Sequence, residues 1–465
     1  MGGRIVKEGT PIARGERYAV VGLGASNQAV IRYLLQKGAS VTAYDQKESV
    51  PLPQGVVSVT GHAYLDRLAQ GLDGLAGIFV TPGMRKDLPA LAEARSRGIP
   101  LLGEAAFVLQ ASPLPVVGIT GSSGKTTTTT MVGQAMERAF PGSVVGGNIG
   151  FPLIDRLEEL GHRDGAWMVL ELSSFQLELA DRSPRVAALL NLHPNHLDVH
   201  GTFANYRDAK RRVYRFQGPD DAAVFNVDDP ASAELWHEAC GHRFLFSGLH
   251  PVERGAGVED GWVVWYGEGA PRRVLPLSDI RLPGSHNVAN VAAAVTIVRA
   301  AGADCDVVAE VVPSFTGVPH RLEWVRTLRG QTWINDSIAT APDRTLAALS
   351  AYRGRSIVLL AGGSDKHLPL DELGHGIARD VDHLIVYGEM AAAIEAAVRV
   401  AGEAISRIPT IDRVTDLANA VACAAKQPVP DQVVLLSPAC ASYDQFANFE
   451  ERGARFREFV KALPE

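Results

Sequence analysis

Lys125 and Thr126 follow a glycine turn, Gly121-Ser122-Ser123-Gly124, at the end of an apolar run over 114–119. A buried parallel strand that breaks into such a loop and re-emerges as a helix aims several backbone N–H groups at one point. The positive end of the helix faces the same point, which makes a phosphate site. Lys125 is placed to reach the outer phosphates of a nucleotide, and the Thr126 hydroxyl to hold a magnesium ion. The spacing departs from the usual glycine, four residues, Gly-Lys-Ser/Thr. Gly118 lies one residue too far from Gly124, so Gly121 is the useful glycine. The bland alternative is a strand–helix turn without a ligand, and Gly-Lys-Thr directly after a strand argues against it.

Further residues with chemical potential follow in order. An apolar strand over 167–170 delivers Glu171, a carboxylate where folds of this kind keep a magnesium ligand. Another strand over 186–192 ends in Asn191-Leu-His193-Pro-Asn195-His196-Leu-Asp198. His196 lies on a loop leaving a third parallel strand beside the same pocket, whereas His193 and His200 read as loop or packing histidines. Residues 202–216 are strongly helical in pattern and carry Tyr206 and Lys210 one turn apart. Spacing alone makes Lys210 a solvated helix lysine.

The elements that position these groups read as alternating strands and helices. Strands over 17–23 and 41–44 flank a helix over 26–36, with Gly22-Leu-Gly24 at the first turn and Asp45 about twenty residues on. This is a dinucleotide-fold outline with an acidic residue placed for a ribose, but Asn27 stands where the third glycine belongs. A nucleotide-like fold put to another use is therefore expected rather than an NAD site. A strand over 78–80 turns at Thr81-Pro-Gly83, so Ala25, Ser26, Asp45 and Gly83 are candidates to line one pocket. A helix over 89–97, a strand over 100–102 and a helix over 104–110 complete the unit, and 111–115 reads as a linker. From about Val318 the alternation resumes, with strands near 333–335, 356–361, 383–386 and 432–437 and apolar helices over 391–400 and 414–425. The expected class is α/β in three domains: Rossmann-like over 1–110, a P-loop ATPase type over 111–317, and Rossmann-like over 318–465.

Bulk composition agrees. The 465 residues exceed one ordinary domain, and charged residues are 21%. Forty-five basic against 52 acidic side chains leave −7, which disfavours nucleic acid or an acidic membrane as partner. The scattered Cys240, Cys305, Cys423 and Cys440 read as buried thiols of a reducing compartment, not a disulfide frame or zinc site. The N-terminal stretch has no signal-peptide core, and Val6 breaks the myristoylation pattern. No apolar run approaches a membrane span, so a cytoplasmic protein is expected, with monomer as the default.

Taken together and in order, the motifs resemble the Mur ligase family, ATP-dependent amino-acid ligases that build the peptidoglycan stem peptide. The matching text is Gly-Ile-Thr-Gly-Ser-Ser-Gly-Lys-Thr (118–126), Gly-Asn-Ile-Gly (147–150), Glu-Leu-Ser-Ser-Phe-Gln-Leu-Glu (171–178) and Asn-His-Leu-Asp (195–198). It continues through Tyr-Arg-Asp-Ala-Lys (206–210), His-Asn-Val-Ala-Asn (286–290), Pro-His-Arg-Leu-Glu (319–323) and Asn-Asp-Ser (335–337). The most specific run is Leu-Ser-Pro-Ala-Cys-Ala-Ser-Tyr-Asp-Gln-Phe (436–446), leading into Asn448-Phe-Glu-Glu-Arg-Gly453.

The resemblance implies an amide ligase using ATP, UDP-N-acetylmuramoyl-L-alanine and D-glutamate, with two magnesium ions. By that likeness Gly121, Ser122, Ser123, Gly124, Lys125, Thr126, Thr127, Asn290, Arg321 and Asp336 bind ATP. Thr126 and Glu171 serve one ion, and His196 with a carbamylated Lys210 the other. Lys125, Glu171, His196 and Lys210 form the catalytic set. Ala25, Ser26, Asp45 and Gly83 become a uridine site, and Asn148 and His196 touch the same substrate. Thr340, Lys366, Ser442 and Phe449 form the glutamate pocket, where an ammonium and hydroxyls suit a dicarboxylate. Read singly, Phe449 is a core residue and Ser442 a helix cap. One position departs from the family: its lysine after Asn-Asp-Ser is replaced by Ile338, a change that leaves L-glutamate as an alternative substrate. A folylpolyglutamate-type ligase, a non-catalytic nucleotide-binding regulator and a dehydrogenase fit these motifs less well.

Overall fold

The computed structural model describes residues 12–48, 50–149, 152–282, 284, 286–315, 317–366, 368–426 and 428–465. The readings of the N-terminal stretch through residue 11 and of Gly150 lie outside the described residues. These residues form three sheets, distributed over two compact units, Met1–Phe315 and Thr316–Glu465.

The first sheet has five parallel strands in the order Val57–Thr60, Ser40–Asp45, Arg17–Val21, Leu75–Val80, Leu101–Leu102. Its central strands are apolar on both faces because helices cover both. The strand nearest one edge, Val57–Thr60, has no fully buried residue, which is why its sequence carries no strand signal. Asn27 takes the place of the missing glycine by burying its side chain, and its amide donates to the carbonyls of Val21 (3.0 Å) and Gly22 (2.6 Å). The dinucleotide turn is thus closed by a side chain.

The second sheet places strand Val116–Thr120 between Val186–Leu189 and Met168–Glu171, all parallel. Ala222–Asn226, His242–Phe246 and Gly255–Glu259 extend it in parallel, and an antiparallel pair, Trp262–Tyr266 and Arg272–Pro276, closes one edge. Helix Lys125–Ala139 holds five consecutive threonines, poor helix formers. Packing overrides that preference: Thr126, Thr128 and Thr129 are buried, and Gly133 lies so close to Val145 that a Cβ would meet it at 2.2 Å. The first sheet is tied to this layer by Arg32 on Asp155 (2.6 Å), Gln36 on Glu158 (2.9 Å) and an ion pair of Lys37 with Glu158.

The second unit carries six strands in the order Glu323–Leu328, Gln331–Asn335, Val433–Ala439, Ile357–Gly362, His383–Tyr387, Thr410–Arg413. The first is antiparallel to its neighbour and the rest are parallel, with helices on both faces. The expectation of buried thiols needs correcting for Cys240, which is exposed, and for Cys423, which is half-buried; Cys305 and Cys440 are buried, and all four are free. Among the described residues no helix is long and apolar enough to cross a membrane.

Candidate active site

Parallel strands put their carboxyl ends on one edge, and the chemistry of the first unit gathers there. The loop after Val116–Thr120 is shaped by two glycines. Gly124 has φ +75, and a Cβ there would meet Asn290 Oδ1 at 2.5 Å; at Gly121 it would meet the Leu190 side chain at 2.9 Å. Asn191 holds the loop open from the neighbouring strand's end. Its Oδ1 accepts from Ser123 N (2.8 Å), its Nδ2 donates to Ser123 O (3.2 Å), and its carbonyl accepts from Ser122 N (3.1 Å). Ser122 Oγ is shared by Tyr206 OH (2.9 Å) and the His193 backbone. Thr127 is half-buried on the first helical turn beside the buried Thr126. Lys125 Nζ arches back over the loop to Gly121 O (2.8 Å) and Ser122 O (3.3 Å).

Lys210 meets the same loop from helix Phe203–Arg215. Its side chain is 1% exposed, and Nζ donates to Thr120 Oγ1 and Gly121 O, both at 3.0 Å. The solvated-lysine reading is therefore wrong. Tyr206, Ala209, Lys210, Val213 and Tyr214 form the helix's buried stripe, and the 3- and 4-residue spacing of its aromatic and aliphatic members was the signal to read. Burial first, and Lys125 second, push the Lys210 ammonium well below the ordinary lysine range, with Glu171 opposing.

Glu171 ends Met168–Glu171 in register with Ile119 and is 1% exposed. Oε1 accepts from Asn148 Nδ2 (2.8 Å), while Oε2 is buried without a hydrogen-bond partner among the described residues. A buried, unpaired carboxylate oxygen beside a phosphate loop suits a divalent cation. Gly147, at φ +93, lets Asn148 pass over it: a Cβ would meet Glu171 O at 2.2 Å. His196 is exposed and left-handed (φ 53), its ring 5.0 Å from Phe175; on Phe175's other contact, buried His200 stacks at 5.0 Å and bonds Ser174 Oγ. His200 thus packs, as its sequence suggested, and His193 is exposed, 3.5 Å from Asp229. Asn290, buried on helix His286–Ala300, accepts from Thr128 Oγ1 (3.3 Å) against the loop glycine.

In the five-stranded sheet Ala25, Ser26, Asp45 and Gly83 all lie at carboxyl ends of neighbouring strands. Asp45 accepts from Leu23 N (2.6 Å) and Lys47 N (2.8 Å), ordering the turn before Ala25. Lys86, unremarked in the sequence, is buried and reaches Glu178 of the next layer at 3.3 Å.

In the second unit Asp336 is buried, accepting from Leu322 N (3.1 Å) and Ser437 Oγ (2.8 Å); burial pushes its carboxyl up to about 6. Arg321, exposed, lies on the turn before Leu322 and is close enough to Asp336 to oppose that shift. Lys366 Nζ donates to Thr340 Oγ1 at 3.0 Å. Ser442 is buried in the loop after Val433–Ala439 and is no helix cap; Asn448 caps helix Phe449–Ala462 by accepting from Glu451 N (2.7 Å). Phe449 is half-buried rather than core, its carbonyl accepting from Ser337 Oγ (2.8 Å). Arg452, fully buried, joins these segments by donating to Ser337 Oγ and O and to the carbonyls of Cys440 and Ala441. Ile338 is half-buried with its N–H on His320 O.

Comparison with known proteins covers nearly all of this framework. Residues 16–103 match the Mur ligase MurD-like N-terminal domain, 119–298 the Mur ligase middle domain, and 320–440 the Mur ligase glutamate ligase domain. The chain is 46% identical to UDP-N-acetylmuramoylalanine–D-glutamate ligase of Symbiobacterium thermophilum, over 96% of this chain and 98% of that one. It is 39% identical to the enzyme of that name from Acetivibrio thermocellus, over 97% of each. Among solved structures, MurF from Acinetobacter baumannii aligns with a TM-score of 0.53 at 19% identity, covering 96% of this chain and 92% of that one. UDP-N-acetylmuramate-alanine ligase MurC from Thermotoga maritima aligns with 0.50 at 18%, covering 96% and 99%. These two similarities show the shared fold.

Proposed function

This chain belongs to the Mur ligase family, and we propose that it joins D-glutamate to UDP-N-acetylmuramoyl-L-alanine using ATP, a step in peptidoglycan precursor synthesis. One observation supports this most: a phosphate loop, an unpaired Glu171 oxygen and a buried Lys210 amine meet at the carboxyl ends of adjoining strands.

The residues divide the work. The N–H groups of 121–127 and Lys125 cradle the β- and γ-phosphates, with Asn290 packed against the same loop. Thr126 and Glu171 hold one magnesium ion; His196 and Lys210 hold a second. Lys210 as a neutral amine adds to carbon dioxide, releasing a proton and leaving a carbamate. That conversion needs the amine free of its proton, which is the form burial favours. When bound, the ions neutralise charge on the phosphoryl group in flight. Asn148 and His196 place the acceptor, and Ala25, Ser26, Asp45 and Gly83 hold its uridine. Lys366 and Thr340 already share a hydrogen bond, and with Ser442 and Phe449 they receive glutamate.

An acceptor carboxylate oxygen attacks the γ-phosphorus, ADP leaves, and an acyl phosphate forms. The glutamate amine, having lost a proton, attacks the acyl carbon. The tetrahedral intermediate expels phosphate and leaves an amide. Residues 1–110, 111–317 and 318–465 are assigned to acceptor, ATP and amino acid, in a monomeric cytoplasmic enzyme. A coupled ADP-release assay tests the reading: turnover requires the acceptor and D-glutamate together. Turnover with L-glutamate alone, which Ile338 makes the rival to exclude, would overturn the substrate assignment.

A further inference from the structure

Apart from every residue assigned above, three side chains of different chemistry meet at one edge of the six-stranded sheet. His383 begins strand His383–Tyr387, Asp412 lies in the edge strand Thr410–Arg413, and Cys423 comes from helix Leu417–Ala424, which packs on the former strand. The parallel register pairs His383 with Thr410 and Ile385 with Asp412, so His383 and Asp412 are diagonal neighbours on one face. His383 Nε2 is 2.8 Å from Asp412 Oδ2, and the Cys423 thiol donates to that oxygen at 3.5 Å. Ligand atoms of all three lie within 4.8 Å of one another.

We propose that His383, Asp412 and Cys423 form a site for a zinc-class divalent cation. An imidazole nitrogen, a thiolate sulfur and a carboxylate oxygen suit a borderline-soft ion with a fourth, water-filled position; magnesium, which demands hard oxygens, is refused. The His383 and Asp412 side chains are 25% and 49% exposed, so the ion reaches them without unfolding. Binding replaces the His383–Asp412 hydrogen bond and the thiol S–H bond by three metal–ligand bonds: the imidazole proton moves from Nε2 to Nδ1, which frees the Nε2 lone pair, and the thiol proton leaves to solvent. The other such cluster among the described residues, Asp304, Cys305 and Asp306, differs because Arg272 already occupies both carboxylates at 3.1 and 2.5 Å. At the sheet edge the ion would pin a four-residue strand, none of whose residues is buried, to its neighbour and to a helix.

The test uses the full chain stripped by chelator, titrated with cobalt(II) and then zinc in excess magnesium. One cobalt equivalent should give a thiolate-to-cobalt charge-transfer band that zinc removes. Cys423→Ser should abolish the band, and His383→Ala should weaken zinc more than about tenfold. Cys240→Ser should change neither, and Cys423→Ser should leave ligase turnover with magnesium unchanged. Zinc should raise the melting temperature of the parent and not that of Cys423→Ser. No band in the parent, a band surviving in Cys423→Ser, or equal zinc affinity in parent and both variants would overturn the proposal.

Discussion

At the scale of single residues, two amines converge on one carbonyl oxygen, Gly121 O, and their fates should differ. Lys125→Ala should abolish turnover while leaving uridine-substrate binding nearly intact; calorimetry that shows lost acceptor affinity would contradict that separation. Lys210→Ala should be inactive and regain part of its rate with a short carboxylic acid, which would replace the charge of the proposed carbamate; saturation curves with acetate and formate read this, and flat curves count against a carbamate. The sequence showed Lys125 plainly, because a phosphate loop is a local pattern. It did not show the burial of Lys210, because that depends on a strand and a loop some 90 positions earlier in the chain. Arg452 was hidden for the same reason: its partners at 337 and 440–441 meet it only after folding.

At the scale of elements, the strands that carry chemistry were legible because they are apolar runs buried on both faces and ended by glycine or polar residues. The short or exposed strands Val57–Thr60 and Thr410–Arg413 were not, since what defines them is the neighbour they pair with. Gly147 ends the strand Val144–Gly147 where it pairs with Met168–Glu171, and Gly147→Ala should lower kcat severely and destabilise by about 1–3 kcal/mol, measured by turnover and urea unfolding. Glu104, at the start of helix Glu104–Ala111, is buried beside the backbone N–H groups of Leu153 and Ile154. Burial pushes its carboxyl up from 4.5 to about 7. The folded state therefore favours the neutral acid, so this contribution is complete below 4.5 and lost as pH rises to about 7. Stability should fall across that window by on the order of 3 kcal/mol and then level. Glu104→Gln should remove the slope; urea midpoints of parent and variant that run parallel from pH 4 to 8 would contradict it.

At the scale of the whole molecule, length and alternation were enough to expect three α/β sheets, and three are present among the described residues. Thr316–Glu465 has its own two-faced core, so the fragment expressed alone should melt cooperatively by circular dichroism. The central claim is that ATP activates a carboxylate by phosphorylating it at the loop between Val116–Thr120 and Lys125–Ala139. Oxygen-18 in the acceptor carboxylate tests it most directly, read by mass spectrometry of the phosphate released in the presence of D-glutamate. One labelled oxygen in each phosphate, with ADP as the co-product, is the expected result; unlabelled phosphate accompanying amide formation would contradict the account.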